Sequence, residues 1–201
     1  ALLGQLADGG DLRAAAEAAW ALGNLPRNHA AQNRVVEALR TMLQARREPS
    51  PDLTALRCNV LGALARLGIA QPRDLEWLDD PGPGVRRNAA LLAAAMVPRA
   101  GTVESRLRGV SASDEDRRVR QNAKAALAGQ GAHGHLSRKR WLITYQTDFD
   151  GKPRSFAPYR LVLGDGLSRV GYTDRIGTAV DERLPDGDNE VELLAPPLPP
   201  R

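Results

Sequence analysis

Two hydrophobic patterns divide the chain. From Leu12 to about residue 130, apolar positions recur at i, i+3, i+4 and i+7, which predicts amphipathic helices. Four segments there begin with an apolar residue and an arginine and run on into small or apolar residues. They are Leu12-Arg13-Ala14-Ala15, Leu56-Arg57-Cys58-Asn59, Val85-Arg86-Arg87-Asn88 and Val119-Arg120-Gln121-Asn122, and the last three share Arg-x-Asn. The anchors stand 44, 29 and 34 residues apart, a spacing that loops of variable length tolerate at small entropic cost. Partner helices are expected near Ala30–Ala45, Pro72–Leu78 and Thr102–Val110. Asp80-Pro81-Gly82-Pro83-Gly84 reads as a break and restart, with Pro83 in a first helical turn. Ser50-Pro51-Asp52 and Ser111–Asp114 offer caps for the second and fourth anchor helices. A single stripe of alanine and leucine buries too little area alone, so the hairpins are expected to stack on one shared core.

From Trp141 the pattern changes to short runs of aromatic and β-branched residues separated by turn residues. Strands are expected at Trp141–Thr147, Pro158–Leu163, Leu167–Tyr172, Thr178–Arg183 and Glu190–Leu194. Tyr159, Leu161 and Leu163 fall on one face of the second of these. Turn signals about every ten residues argue for a small antiparallel sandwich. So small a unit is marginal by itself. It is therefore expected to pack against the last helices or against a partner, with Trp141 and its neighbours in the contact.

Composition sharpens the division. Alanine is concentrated before Gly131, whereas six of the eight aromatics lie between Trp141 and Tyr172. No apolar run reaches the ~20 residues of a bilayer span. One cysteine, Cys58, excludes a disulfide framework and a cysteine-ligated zinc site within these residues. The formal net charge of the chain is +4, and the basic excess lies in the front. Its arginine clusters, Arg86-Arg87, Arg117-Arg118-Arg120 and Arg138-Lys139-Arg140, read as solvated helix faces or as phosphate contacts. His133-Gly134-His135 sits in a glycine-rich joint without acidic neighbours, and Asp148-x-Asp150-Gly151 and Asp186-Gly187-Asp188-Asn189 read as turns. Trp20 and Trp77 read as packing residues. No phosphate-loop, nucleophile-elbow or zinc-protease pattern occurs, so no catalytic, cofactor or metal residue is assigned. The chain begins at Ala1 on a helical pattern without a signal peptide, and is expected to be a segment of a longer protein.

Asp80 lies six residues before Arg86, and Asp114 six before Arg120, each arginine preceded by an apolar residue and followed by alanines. In this the front resembles the HEAT-repeat family over residues 2–130. That resemblance implies an inter-repeat hydrogen-bond ladder through Asp80, Arg86, Asp114 and Arg120. Asp52 stands only five residues before Arg57, and Asp11-Leu12-Arg13 departs further. The other reading of the front is an ordinary irregular helical bundle. The back, with Asp150-Gly151-Lys152-Pro153, Ala157-Pro158-Tyr159-Arg160-Leu161, Thr173-Asp174-x-x-Gly177 and Leu184-Pro185-Asp186-Gly187, resembles transthyretin-like, carboxypeptidase-regulatory-like β-sandwiches. The version here is most similar to modules on type VI secretion spike and cargo-associated proteins, where such a module implies docking without catalysis.

The expected fold class is a two-part α + β chain: HEAT-like helical repeats over residues 1–130, a joint at 131–138, a transthyretin-like sandwich at 139–195 and a proline-rich tail at 196–201. The expected function is a non-catalytic protein-protein scaffold or adaptor, possible contact residues being Arg87, Arg117, Arg118 and Trp141. Nucleic-acid binding and an accessory role beside a larger enzyme are the alternatives. The compartment is open between cytoplasm and export by a route independent of a signal peptide.

Overall fold

The computed structural model describes residues 11–25, 32–45, 51–97, 100–132 and 140–194. The helical region comprises α1 (Leu12–Gly23), α2 (Gln32–Ala45), α3 (Pro51–Leu67), α4 (Pro83–Leu92), α5 (Gly101–Ser113) and α6 (Arg117–Leu127). Short 3-10 segments at Pro72–Asp79 and Ala93–Ala95 follow α3 and α4. The strands are β1 (Trp141–Tyr145), β2 (Pro158–Val162), β3 (Ser168–Tyr172), β4 (Thr178–Glu182) and β5 (Glu190–Leu193). The molecule is thus α + β, with a helical N-terminal region followed by small antiparallel sheets.

The four anchor segments lie on α1, α3, α4 and α6, and these four helices pack on one another in chain order. Behind them α2 packs on α3, the 3-10 segment Pro72–Asp79 on α4, and α5 on α6. Small residues make the front row tight. A Cβ added at Gly23 of α1 would sit 2.5 Å from the Cα of Ala63 on α3, so a larger residue there would push the two helices apart. Large side chains fill the remaining space: Leu39, Leu56, Leu61, Leu64, Leu92 and Leu107 are all fully buried. Truncating any of them to alanine costs about 2–5 kcal/mol. Pro83 occupies the first turn of α4. Helix α6 is capped by Asp116, whose carboxylate accepts from the N–H groups of Arg118 and Val119 at 2.9 Å each. The cap expected from Ser111–Asp114 is corrected accordingly: Ser111–Ser113 continue α5, the Ser111 and Ser113 hydroxyls donating back to the carbonyls of Arg108 and Gly109, and Asp114 follows its end.

Two antiparallel sheets form the back. One pairs β1 with β4, setting Trp141 opposite Glu182, Ile143 opposite Val180 and Tyr145 opposite Thr178. The other has the order β3-β2-β5. Tyr159 and Leu161 of β2, with Leu163 just beyond it, point inward. They join Leu167 and Val170 in the buried apolar cluster that also holds the helical leucines. The closest packing between the two parts is made by β3, chiefly on α3 and also on α4 and α1. Trp141 is therefore not part of the contact with the helices, the first of the two contacts expected of it. Trp141 is 63% exposed, because the period-2 alternation of β1 turns Thr144 and Gln146, not its aromatics, towards the interior.

Candidate protein-docking face

The arginines of the anchor helices are held in place by acidic partners. Arg86 grips Asp114 with two bonds, Nε to Oδ2 at 2.9 Å and Nη2 to Oδ1 at 3.1 Å. Its Nη1 donates to the carbonyl of Asp80, six residues back in its own segment, at 2.9 Å. Arg120 repeats the second contact, donating to the Asp114 carbonyl at 2.5 Å. The Asp80 carboxylate meets Arg57 of the preceding anchor at 3.4 Å, and that guanidinium lies 5.1 Å from the Trp77 ring. The four residues Asp80, Arg86, Asp114 and Arg120 thus lie along one line of contacts joining α3, α4 and α6.

A second line runs beside it. The asparagine of each Arg-x-Asn segment is buried and reaches two backbones at once. The Asn59 amide donates to the carbonyl of Ala16 on α1 at 3.0 Å and to that of Val170 on β3 at 2.9 Å, while accepting the Val170 N–H at 2.8 Å. Asn88 does the same one helix later, bonding the Cys58 and Ser168 carbonyls at 2.7 and 2.8 Å and accepting the Ser168 N–H at 2.8 Å. Asn122 donates to the carbonyls of Arg87 and Gly166 at 3.1 and 2.9 Å. Positions 166, 168 and 170 alternate along β3 and its preceding turn, so their polar groups project from one edge. Three side-chain amides therefore occupy the place of a neighbouring strand. Gly166 is held at φ +84°, and a Cβ there would come within 2.9 Å of the Asn122 carboxamide oxygen.

The arginines singled out as contact residues fall along the margin of this seam. Arg87 is buried, with Nη2 2.6 Å from Asp116 and Nη1 3.2 Å from Glu192 of β5. Arg118 is paired with Glu190, and Glu192 also takes Arg160 of β2 at 2.8 Å. Burial alone would raise the Asp116 carboxyl, but the Arg87 guanidinium and the α6 N–H groups outweigh it and hold its pKa down at about 2. Arg117 stands exposed in the first turn of α6. Arg87, Arg118 and Trp141 are not brought together: the first two face β5, whereas Trp141 lies on β1.

The outer face of the β1–β4 sheet has the opposite character. Trp141, Ile143 and Tyr145 share that face and are 63%, 53% and 59% exposed, and Val180 of β4 beside them is 54% exposed. Loops at the Tyr145 end add exposed Phe149, Phe156 and Ile176. Isolated surface apolar residues are ordinary, but four of them neighbouring on one sheet face make it the candidate interaction surface. Comparison with protein-family models, with curated proteins and with solved structures finds no match. What this face does is therefore read from its chemistry.

Other candidates have internal explanations. A groove of about 640 Å³ lies between α1 and the strands, lined by Asp11, Arg13, Glu17, Phe156 and Tyr172 among others. At its base Arg169 bridges Glu17 and Asp181, and the Tyr159 hydroxyl donates to Asp181 at 2.6 Å. Burial raises the Glu17 pKa, an effect the Arg169 charge only partly offsets. Cys58 is buried, with its thiol 3.3 Å from the Ser168 carbonyl, and burial pushes its pKa up to about 12. The Asp148 carboxylate accepts from the N–H groups of Asp150 and Lys152, at 2.9 and 2.8 Å, and so closes its own turn. Trp20 and Trp77 are both buried. Among the described residues no three His, Cys, Asp or Glu side chains converge as a metal site would need. His29, His133 and His135 lie outside the described residues.

Proposed function

We propose that this chain is a non-catalytic protein-protein interaction scaffold. In this reading a HEAT-like stack of helices carries a small transthyretin-like sandwich and presents the outer face of β1–β4 to a partner protein. The observation that carries it is the inverted polarity of β1: Trp141, Ile143 and Tyr145 face solvent while Thr144 and Gln146 are buried. An aromatic-rich face suits a protein partner, because tryptophan and tyrosine provide large contact area at small entropic cost. The HEAT-like part of the reading is supported by the ordered packing of α1, α3, α4 and α6 and by the Arg86–Asp114 contact. The sandwich-like part rests on two small antiparallel sheets with inward-facing β2 residues. The resemblance of the back to modules on secretion spikes makes a spike or cargo component the class of partner to try first.

Nucleic-acid binding is less well supported, since Arg86, Arg87 and Arg118 are each paired with carboxylates within the chain. An arginine already neutralised has little charge to offer a phosphate. The experiment is affinity capture from the source cell with the wild-type chain and with a Trp141→Ser/Tyr145→Ser variant. A protein retained by the first and lost by the second supports the scaffold. Equal capture by both would overturn the assignment to this face, and salt-sensitive retention of labelled DNA by both would favour the nucleic-acid reading.

A further inference from the structure

We infer that the outer edge of β1 pairs with the β1 edge of a second copy of this chain, antiparallel and centred on Ile143. This rests on the reading of β1–β4 as the docking surface and adds the identity of one occupant. Among the described residues β1 has a strand partner on one side only, β4. Native proteins blunt such edges with charges, prolines or bulges. Trp141-Leu142-Ile143-Thr144-Tyr145 contains none of these and is composed of strong strand formers. A two-stranded sheet is also marginal by itself, whereas joining two of them makes a four-stranded one.

Charge and side-chain order select the orientation. A basic run ending at Arg140 precedes β1, and Asp148 and Asp150 follow it. A parallel neighbour would set like charges side by side. An antiparallel copy brings the basic end of each strand to the acidic end of the other, with Arg140, half-exposed and 3.6 Å from its own Asp186, on the diagonal to the partner's Asp148, a separation that long side chains span. Centring on Ile143 sets Trp141 opposite the partner's Tyr145, Ile143 opposite the partner's Ile143, and Tyr145 opposite the partner's Trp141. Aromatic and β-branched cross-strand pairs of this kind are the favourable ones. Such a pairing is two-fold and self-limiting, so it closes as a dimer. A five-residue edge buries less than the roughly 1,000 Å² of a stable complex, so association is reversible and concentration-dependent.

The test is sedimentation of the chain over a dilution series, combined with oxidation of cysteine variants. The wild type is expected to pass from dimer to monomer on dilution, and Ile143→Lys to remain a monomer with an unchanged circular dichroism spectrum. Ile143→Cys, lying on the two-fold axis, is expected to give a disulfide-linked dimer, whereas Tyr145→Cys, facing the partner's Trp141, is not. The buried Cys58 leaves the wild type free of this cross-link. A wild type that stays monomeric up to its solubility limit overturns the inference. So does a dimer in which Tyr145→Cys cross-links and Ile143→Cys does not. A monomer that still captures another protein through Trp141 and Tyr145 would sink the second-copy occupant and leave the proposed function standing. A dimer with no other captured partner would do the reverse.

Discussion

The edges of β3 and β1 are built from the same backbone groups and treated in opposite ways. The free side of β3 faces helices and meets three asparagine amides, which supply the hydrogen bonds that a further strand would. The free side of β1 has no strand partner among the described residues, and its sheet turns aromatics outward. The difference shows how a helical layer can close a sheet without contributing a strand. A carboxamide offers one acceptor and two donors, enough to pair with a strand and still bond the preceding helix. Repeating it on successive helices closes the β3 edge, whereas the β1 edge of the other sheet has no such cover among the described residues.

The largest effect is expected where the closed edge is opened from within. Asn88→Ala would leave the Ser168 N–H, the Ser168 carbonyl and the Cys58 carbonyl without this partner in the buried seam. The Ser168 carbonyl keeps the Cys58 thiol at 3.3 Å, so the Ser168 N–H is the group left unsatisfied, and a loss of about 3 kcal/mol in unfolding free energy is expected from urea titration. Helical and tryptophan signals should still coincide, because the buried cluster is shared. Two transitions would break the comparison by showing that the sheets are not held by the helices.

A smaller effect concerns the margin of the seam, where Asp116 is held by Arg87. Its pKa is depressed in the folded chain to about 2, against an unfolded value of about 3.9, so its stabilising contribution is complete above the unfolded value. That contribution is lost as the pH falls from about 4 towards 2. Asp116→Asn keeps a capping side chain and removes the titration. The variant should therefore show a flatter acid limb in stability measured against pH, and an unchanged limb would detach Asp116 from the seam. The smallest effect belongs to the open side. Tyr145→Ser should alter the unfolding free energy by no more than about 0.5 kcal/mol, since it touches solvent rather than core. A larger loss would mean that the face is structural rather than a docking surface.

Much of the fold was legible because its periodicities are local. Helix positions followed from the apolar stripes, and four of the five expected strands end within one residue of the observed ones; β1 stops two residues short, where Gln146 and Thr147 enter the Asp148 turn. The Arg86–Asp114 contact was implied only by the resemblance to HEAT repeats, since the spacing by itself pairs Asp80 with Arg86 and Asp114 with Arg120. The asparagine seam was visible only in half. Arg-x-Asn repeats in plain view, but the groups it bonds are backbone atoms 80 and 111 residues away, and backbone leaves no residue signature. The misreading of Trp141 has a similar cause. Alternation says that Trp141, Ile143 and Tyr145 share a face, and the habit of burying aromatics points that face inward. Here Leu142, Thr144 and Gln146 take the interior instead. A polar residue in the inward positions of an aromatic strand was the available signal.

Backbone hydrogen exchange at Ser168 and Val170 tests the central claim most directly. Both N–H groups lie on the edge of β3 and are bonded to asparagine oxygens at 2.8 Å. They are expected to exchange only through opening of the whole unit, with the protection of core amides, and Asn88→Ala is expected to speed Ser168 selectively. Exchange at both positions as fast as at an unpaired strand edge would contradict the account, for the helices would then lie beside the sheet without closing it.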